Sequence, residues 1–293
     1  MKCRKTDALP FKLATMALLP LKRLKTSRPF QHVGIDYAGP FNVSNGKIQK
    51  RWICLITCLA TRAVHLGIVS DLSEQSFLNA YKRFTARRGE PKTVVSVNET
   101  HFKAAAEKVG AYWTFITPHA PWKGGIYEGI IGLFKTAFRE TVAKKLLTAE
   151  ELLTITIEIE SILNSRITPV NDDTNDVLRP IDFLLPQVLQ TQNNKNHNQF
   201  DFQYHNSTQL NTYFRKLEKT LDDFWTEWQK SYLQFLRTQP DVSLKQPNKV
   251  VRREPEIEEI VIVADDNLSR AKWELGKIVN THRNNRGQVT TAT

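Results

Sequence analysis

The run Thr93-Val94-Val95-Ser96-Val97 carries no charged residue and is bracketed by Pro91 and Asn98. A strand of that composition offers water neither face, so it suits the middle of a sheet that is covered on both sides. Such a strand needs helices above and below it, and the flanking sequence has the pattern to supply them.

Residues 31–43 read as a first strand and residues 51–70 as two more, rich in β-branched side chains through Trp52-Ile53-Cys54-Leu55-Ile56 and Ala63-Val64-His65-Leu66. Asn45-Gly46 between the first two is a hairpin signal. Ser73 opens a helix in which Phe77, Ala80, Tyr81 and Phe84 recur at helical spacing, and Gly89-Glu90-Pro91 stops it. Beyond the central run, residues 102–109 read as a short helix and residues 112–117 as a strand. Residues 126–145 read as a long helix with Ile130, Leu133, Phe134, Ala137 and Phe138 on one side. Thr148-Ala149-Glu150-Glu151 has the form of a capping box for one more helix, ending near residue 165. This order predicts an α/β domain with a mixed five-stranded sheet flanked by helices.

Composition bounds what such a domain can be part of. Fifteen Phe and six Trp within 41% hydrophobic residues exclude wholesale disorder. A net charge of +11 and a pI near 9.5 surround the chain with a positive field that attracts polyphosphates. Residues 1–24 form a basic amino-terminal arm, either a solvated tail or a segment that lies along a nucleic-acid backbone. Cys3, Cys54 and Cys58 are too few for a disulfide framework, which points to a reducing, intracellular compartment. The apolar stretch Met16-Ala17-Leu18-Leu19 is too short to span a bilayer and is broken by Pro20, so no membrane association is expected.

The rest of the chain divides by composition. The core unit runs over residues 25–186, and residues 187–209, rich in Gln, Asn and His, read as a linker. Residues 210–239 return to helical spacing with an aromatic-rich stripe, Tyr213, Leu217, Leu221, Phe224, Trp225, Trp228, Leu233 and Leu236, that is either a packed face or a base-stacking platform. Residues 240–253 form a second linker, and residues 254–293 alternate in strand fashion around turns at Asp265-Asp266-Asn267 and Asn284-Asn285-Arg286-Gly287.

Two acids stand at telling places. Asp36 ends the extended run Val33-Gly34-Ile35, and Glu128 stands at the start of the long helix, after Pro118-His119-Ala120-Pro121-Trp122-Lys123-Gly124-Gly125. Taken alone, each has a bland reading as a turn acid or as a favourable charge in a helix's first turn.

Taken in order with Arg28-Pro29-Phe30, Thr61-Arg62-Ala63-Val64-His65, Asn98-Glu99-Thr100-His101-Phe102, Ile162-Leu163-Asn164-Ser165-Arg166 and Leu178-Arg179-Pro180-Ile181-Asp182-Phe183-Leu184, these segments resemble the catalytic core of retrotransposon integrases. The likeness is to the Pao/BEL type within the DDE superfamily. Residues 254–293 resemble the small carboxy-terminal β-barrel that follows such cores, shortened relative to the family pattern. The resemblance implies an RNase H-like fold for the core. It also implies nucleic-acid binding, Mg²⁺- or Mn²⁺-dependent strand transfer in DNA integration, DNA as partner, homo-oligomerisation, and a nuclear location if the protein acts on chromosomal DNA.

In that chemistry two metal ions, about 3.5–4 Å apart, activate the nucleophile and stabilise the leaving oxygen. Mg²⁺ takes oxygen ligands in near-octahedral geometry, so the family brings three acids together from separate elements. Asp36 matches the first and Glu128 the third, as catalytic residues and metal ligands. Val97 occupies the second place, in the gap between them, and has no lone pair to offer a cation. Glu99 would lie roughly 6.6–7 Å further along an extended chain and would have to bend back. The resemblance therefore implies an impaired enzyme, or a non-enzymatic nucleic-acid-binding or oligomerisation module that keeps the integrase fold. Lys123, Lys135 and Arg139, on or beside the Glu128 helix, are the candidate phosphate contacts. Gly129 stands where the family carries a basic residue, and Cys3 alone cannot hold a structural zinc.

Overall fold

A computed structural model describes residues 27–44, 46–116, 125–167, 178–185, 208–238, 257–258, 260–263, 273–283 and 289–293. The basic arm, residues 187–207 of the first polar linker, the second linker, Asn45, the Tyr213 side chain and the predicted turns at 265–267 and 284–287 lie outside the described residues, and residues 208–209 of the first linker are helical.

Three strands open the fold as an antiparallel meander: β1 (His32–Ser44), β2 (Ile48–Cys58) and β3 (Val64–Val69). The β1–β2 hairpin closes between Ser44 and Ile48, with Gly46 at a φ of 78° that suits glycine. Helix α1 (Glu74–Arg88) begins at Ser73, whose hydroxyl accepts the Ser76 backbone N–H at 3.2 Å, and ends at Gly89. It returns the chain to β4 (Thr93–Ser96), which pairs parallel with β1. Helix α2 (Thr100–Ala106) then leads to β5 (Tyr112–Phe115), parallel with β4. The sheet order is β3-β2-β1-β4-β5, a mixed five-stranded sheet with β4 inside it, as its composition required.

Each face carries its own core. On one side Val33, Ile35, Cys54, Ile56 and Val94 pack with Phe77, Tyr81 and Phe84 of α1 and Phe102 of α2. On the other, Ala38, Val43, Ile53, Leu55 and Leu66 pack under α3 (Gly125–Thr141), α4 (Ala149–Asn164) and α6 (Thr208–Thr238). A short helix α5 (Pro180–Leu184) lies between α4 and α6 in the chain. Several boundaries differ from the sequence reading, among them β2, which starts at Ile48 and not at residue 51. Helix α2 starts earlier and stops earlier because Glu99 is already the extended residue before its first turn, and α3 gives way to turns after Thr141. The capping box of α4 is complete, with Thr148 and Glu151 each accepting the other's backbone N–H.

Helix α4 also closes the exposed edge of the sheet. The Asn164 side chain accepts the Val64 N–H and donates to the Val64 carbonyl, both at 2.8 Å, as a neighbouring strand would. Four residues earlier, Glu160 accepts the Leu66 N–H at 2.9 Å and Arg88 Nη2 at 2.7 Å, with His65 Nδ1 at 3.1 Å.

The aromatic stripe of α6 is a packed face. Leu217, Leu221, Phe224, Trp225, Trp228 and Tyr232 are buried in the α3/α4 core, which removes the apolar surface of the stripe from water. Trp273 joins them at ring distances of 5.2, 6.3 and 6.0 Å from Trp225, Trp228 and Tyr232. The described strands of the tail, β6 (Ile260–Val263), β7 (Glu274–Lys277), β8 (Thr281–Arg283) and β9 (Val289–Ala292), pair as two antiparallel two-stranded ladders, β6–β7 and β8–β9.

Candidate functional site

Asp36 lies on β1, next to the sheet's parallel half, because β1 pairs on one side with β2 through Leu55 and on the other with β4 as far as Ile35 and Ser96. Alternation along β1 sends Ile35 into the α1/α2 layer and Asp36 to the opposite face, under α3. There the carboxylate is fully engaged. Its Oδ1 accepts the Tyr37 backbone N–H and its Oδ2 accepts Lys135 Nζ, both at 2.7 Å, with only 19% of the Asp36 side chain exposed.

Lys135 comes from the middle of α3, which is held over the sheet by Ile131, Phe134 and Phe138. Residue 128 precedes it by seven positions, two helical turns or about 10.5 Å along the axis, on nearly the same helical face. The backbone of Glu128 is in the first turn of α3, and its side chain lies outside the described residues, as does all of Lys123. Arg139 follows Lys135 by one turn and is exposed. Of these residues, Lys135 is the one whose described side chain reaches Asp36. Sequence reasoning gave Lys135 a phosphate contact. The ion pair with Asp36 comes from the crossing of α3 over β1, which the sequence spacing does not give.

Val97 behaves differently from a residue that fills a gap between two acids. Alternation along β4 would send it to the side of Val95, but the strand ends at Ser96, and Val97 packs instead with the α1/α2 layer. Ser96 marks the turn. Its hydroxyl accepts Trp113 Nε1 at 2.8 Å and donates to the Val97 carbonyl at 3.1 Å. An apolar side chain released from the sheet turns toward the nearest core, and here that core faces away from Lys135.

Glu99 is half exposed and points to His101, with Oε2 3.2 Å from Nε2, although no well-aligned hydrogen bond joins them. Burial holds the His101 pKa below its usual value, with the Glu99 charge opposing that shift. His101 and Phe102 flank the Tyr37 ring at 5.3 Å each. Burial raises the Tyr37 hydroxyl pKa well above normal, with the neighbouring charges adding to it. Cys54, opposite Tyr37 on β2, is pushed up to about 12, first by burial and then by the Asp36 charge. These groups form a packed polar seam beside Asp36 in which burial keeps the Tyr37 hydroxyl and the Cys54 thiol protonated at neutral pH.

Of Asp36, Val97 and Glu128, the described side chains are those of Asp36 and Val97, and both Asp36 oxygens have partners. Among the described residues no group of three His, Cys, Asp or Glu is placed to hold a metal ion. Mg²⁺ takes several oxygen ligands, and a cation approaching Asp36 would meet the Lys135 ammonium.

The segment Ile162-Leu163-Asn164-Ser165-Arg166 does structural work. Asn164 closes the β3 edge, and the fully buried Arg166 donates to the carbonyls of Leu163 and Arg62. Burial lowers the Arg166 pKa to about 10. Cys58 accepts the Phe30 N–H at 3.2 Å, and both Cys54 and Cys58 are buried thiols. Among the described residues no helix is long and apolar enough to cross a membrane.

Residues 212–293 match the sequence model of a family described only as a family of unknown function, DUF5641. No curated protein matches the chain. Among solved structures, a chain from a cryo-EM structure of the simian T-cell lymphotropic virus intasome in complex with PP2A regulatory subunit B56 gamma superposes with a TM-score of 0.40 at 15% identity. The overlap covers 54% of this chain and 55% of that one, so the chain spans about half the length of the structure it matches. A TM-score of 0.40 is too low to establish a common fold.

Proposed function

We propose that this chain is a nucleic-acid-binding protein descended from a Pao/BEL-type retrotransposon integrase, with an RNase H-like core and a small carboxy-terminal barrel. Its ancestral reaction is Mg²⁺-dependent strand transfer of DNA ends, and that activity is impaired. The observation that carries the reading is the approach of α3 to Asp36. One acid stands on the first strand, and α3, whose first turn carries Glu128, passes close enough for Lys135 to reach that carboxylate at 2.7 Å.

The impairment follows from charge and donor count. Val97 cannot coordinate a cation, and Lys135 already neutralises Asp36. The several kcal/mol that a metal contributes to the developing charge is therefore largely missing. Binding does not need the metal. A net charge of +11 releases counterions from a phosphate backbone, the exposed Arg139 of α3 is a cationic contact for it, and Lys123 and Lys135 remain further candidates from the sequence.

The test is a strand-transfer assay on the purified chain beside its Val97→Asp form, with DNA affinity measured across salt. The unmodified chain is expected to give no turnover, and its DNA binding is expected to weaken steeply with salt and to be indifferent to Mg²⁺. Robust turnover by the unmodified chain refutes impairment. Absence of DNA binding at low salt refutes the whole reading. A second reading, a binding or oligomerisation module that has lost the chemistry altogether, is favoured by the lysine on Asp36 and predicts that Val97→Asp restores nothing.

A further inference from the structure

We propose that Phe235, in the last turn of α6, is a positioning residue for the opening turn of α3, acting through a contact that Gly129 alone permits. A Cβ at Gly129 would lie 3.2 Å from Phe235 Cζ and 3.4 Å from Cε2. Gly132, one turn later on the same helix, has nothing within 4 Å of such a Cβ. The two glycines therefore differ in kind. Glycine weakens a helix relative to alanine, and at Gly132 no contact offsets that weakness, whereas at Gly129 it lets an aromatic ring meet the helix backbone.

The ring is not free to move away. Helix α6 is fastened along its length to the elements around the site. Lys216 pairs with Glu151 of the α4 capping box at 3.1 Å, and Lys145, beyond the end of α3, reaches Asp223 at 2.8 Å and Thr220 at 3.0 Å. Tyr232 donates to the Ile167 carbonyl, and its ring lies between the neighbouring rings of Trp228 and Phe235, at 4.8 and 6.5 Å. The Phe235 ring is thus placed by anchors on α4 and on the turn after α3, and it bears on the residue next to Glu128. Residues 212–293, which include Phe235, are the part of the chain matched by the family of unknown function. The structure gives that region's helix a task, which is to fix where the acid-bearing turn lies. The inference rests on the proposed function only for the importance of residue 128. The contact does not depend on it.

A double-mutant cycle on the full chain tests this, read by hydrogen exchange of the amides in residues 126–133, with the α4 amides as reference. Gly132→Ala is expected to slow exchange in this turn by about fivefold through helix propensity alone. Gly129→Ala is expected to give no such slowing while Phe235 is present, and to slow exchange by about the same fivefold once Phe235 is Ala. The α4 amides should not respond to either glycine change. Equal slowing by Gly129→Ala with and without the ring overturns the proposal. If Phe235→Ala does not fold, Phe235→Leu, which also withdraws the ring edge, completes the cycle. Loss of DNA binding by the unmodified chain would refute the function proposed above while leaving this result intact.

Discussion

Replacing Glu160 by Gln removes one negative charge from a place where three elements meet. In the wild-type chain the carboxylate accepts Arg88 of α1 at 2.7 Å and the Leu66 N–H of β3 at 2.9 Å, and it faces His65 at 3.1 Å, with 12% of its side chain exposed. Gln keeps an acceptor for Leu66 and loses the charge-assisted bond to Arg88, worth about 1.5–3 kcal/mol. Arg88 is 23% exposed, so water recovers part of its solvation and the cost falls below the roughly 3–5 kcal/mol of breaking a fully buried pair. The expected loss is about 2 kcal/mol, read as a lower urea midpoint at unchanged m-value. Ala in the same place also orphans the Leu66 N–H and leaves a cavity, and should cost about 3–5 kcal/mol. Acid provides the sign. Burial works to raise the Glu160 pKa, but the hydrogen bond and charge of His65, the Leu66 N–H and Arg88 outweigh it and hold the value below normal. The stabilisation is therefore fully present above the ordinary Glu pKa of about 4.3 and is lost as pH falls through the lower folded value. The gap between wild type and Glu160→Gln should close as pH falls below the ordinary Glu value. A gap under about 0.5 kcal/mol, or one that widens in acid, would refute this account of the cluster.

Two further outcomes follow from the same core. Asn164→Ala strips the Val64 backbone of both its partners at a buried sheet edge and should cost about 2–3 kcal/mol, measured by urea titration; a loss near zero would mean that the β3 edge is satisfied in some other way. Cys54 and Cys58 should resist iodoacetamide at pH 8 in the folded chain and react fully in denaturant, as mapped by peptide mass spectrometry, since both are buried and the Cys54 thiol is pushed up to about 12.

The sheet was legible because each of its strands announces itself locally. Thr93–Ser96 has no polar face, the β1–β2 hairpin has its glycine, and α1 and α4 have their caps at Ser73 and Thr148. The site was legible as residue types at places and not as contacts. Lys135 reads from sequence as a surface cation on a helix, and only the crossing of α3 over β1 makes it the partner of Asp36. Val97 reads as the next alternating position of a strand. The strand stops one residue short of it, and Ser96, held by Trp113 some seventeen residues away, decides which core it joins. Contacts of this range depend on the relative placement of elements, which propensity and periodicity do not encode.

The same limit explains α6. Its periodicity marks a buried stripe, and a polar stretch precedes it, so sequence alone sets it apart from residues 25–186. The stripe nonetheless lies in one continuous core with Phe134 and Phe138 of α3 and Leu152, Ile155 and Ile159 of α4. The match to DUF5641 begins at residue 212, inside this helix. A helix whose apolar face is spent on α3 and α4 has little left with which to organise the tail, and what it offers the tail is the aromatic group that receives Trp273. Helix α6 therefore links two things that the sequence keeps apart: it completes the layer that carries the acid-bearing turn, and it gives the carboxy-terminal strands their anchor. A change in the tail that moves Trp273 would be felt at Tyr232, and through the adjacent Phe235 ring at Gly129, because the rings are in contact in series and a packed interior transmits displacement.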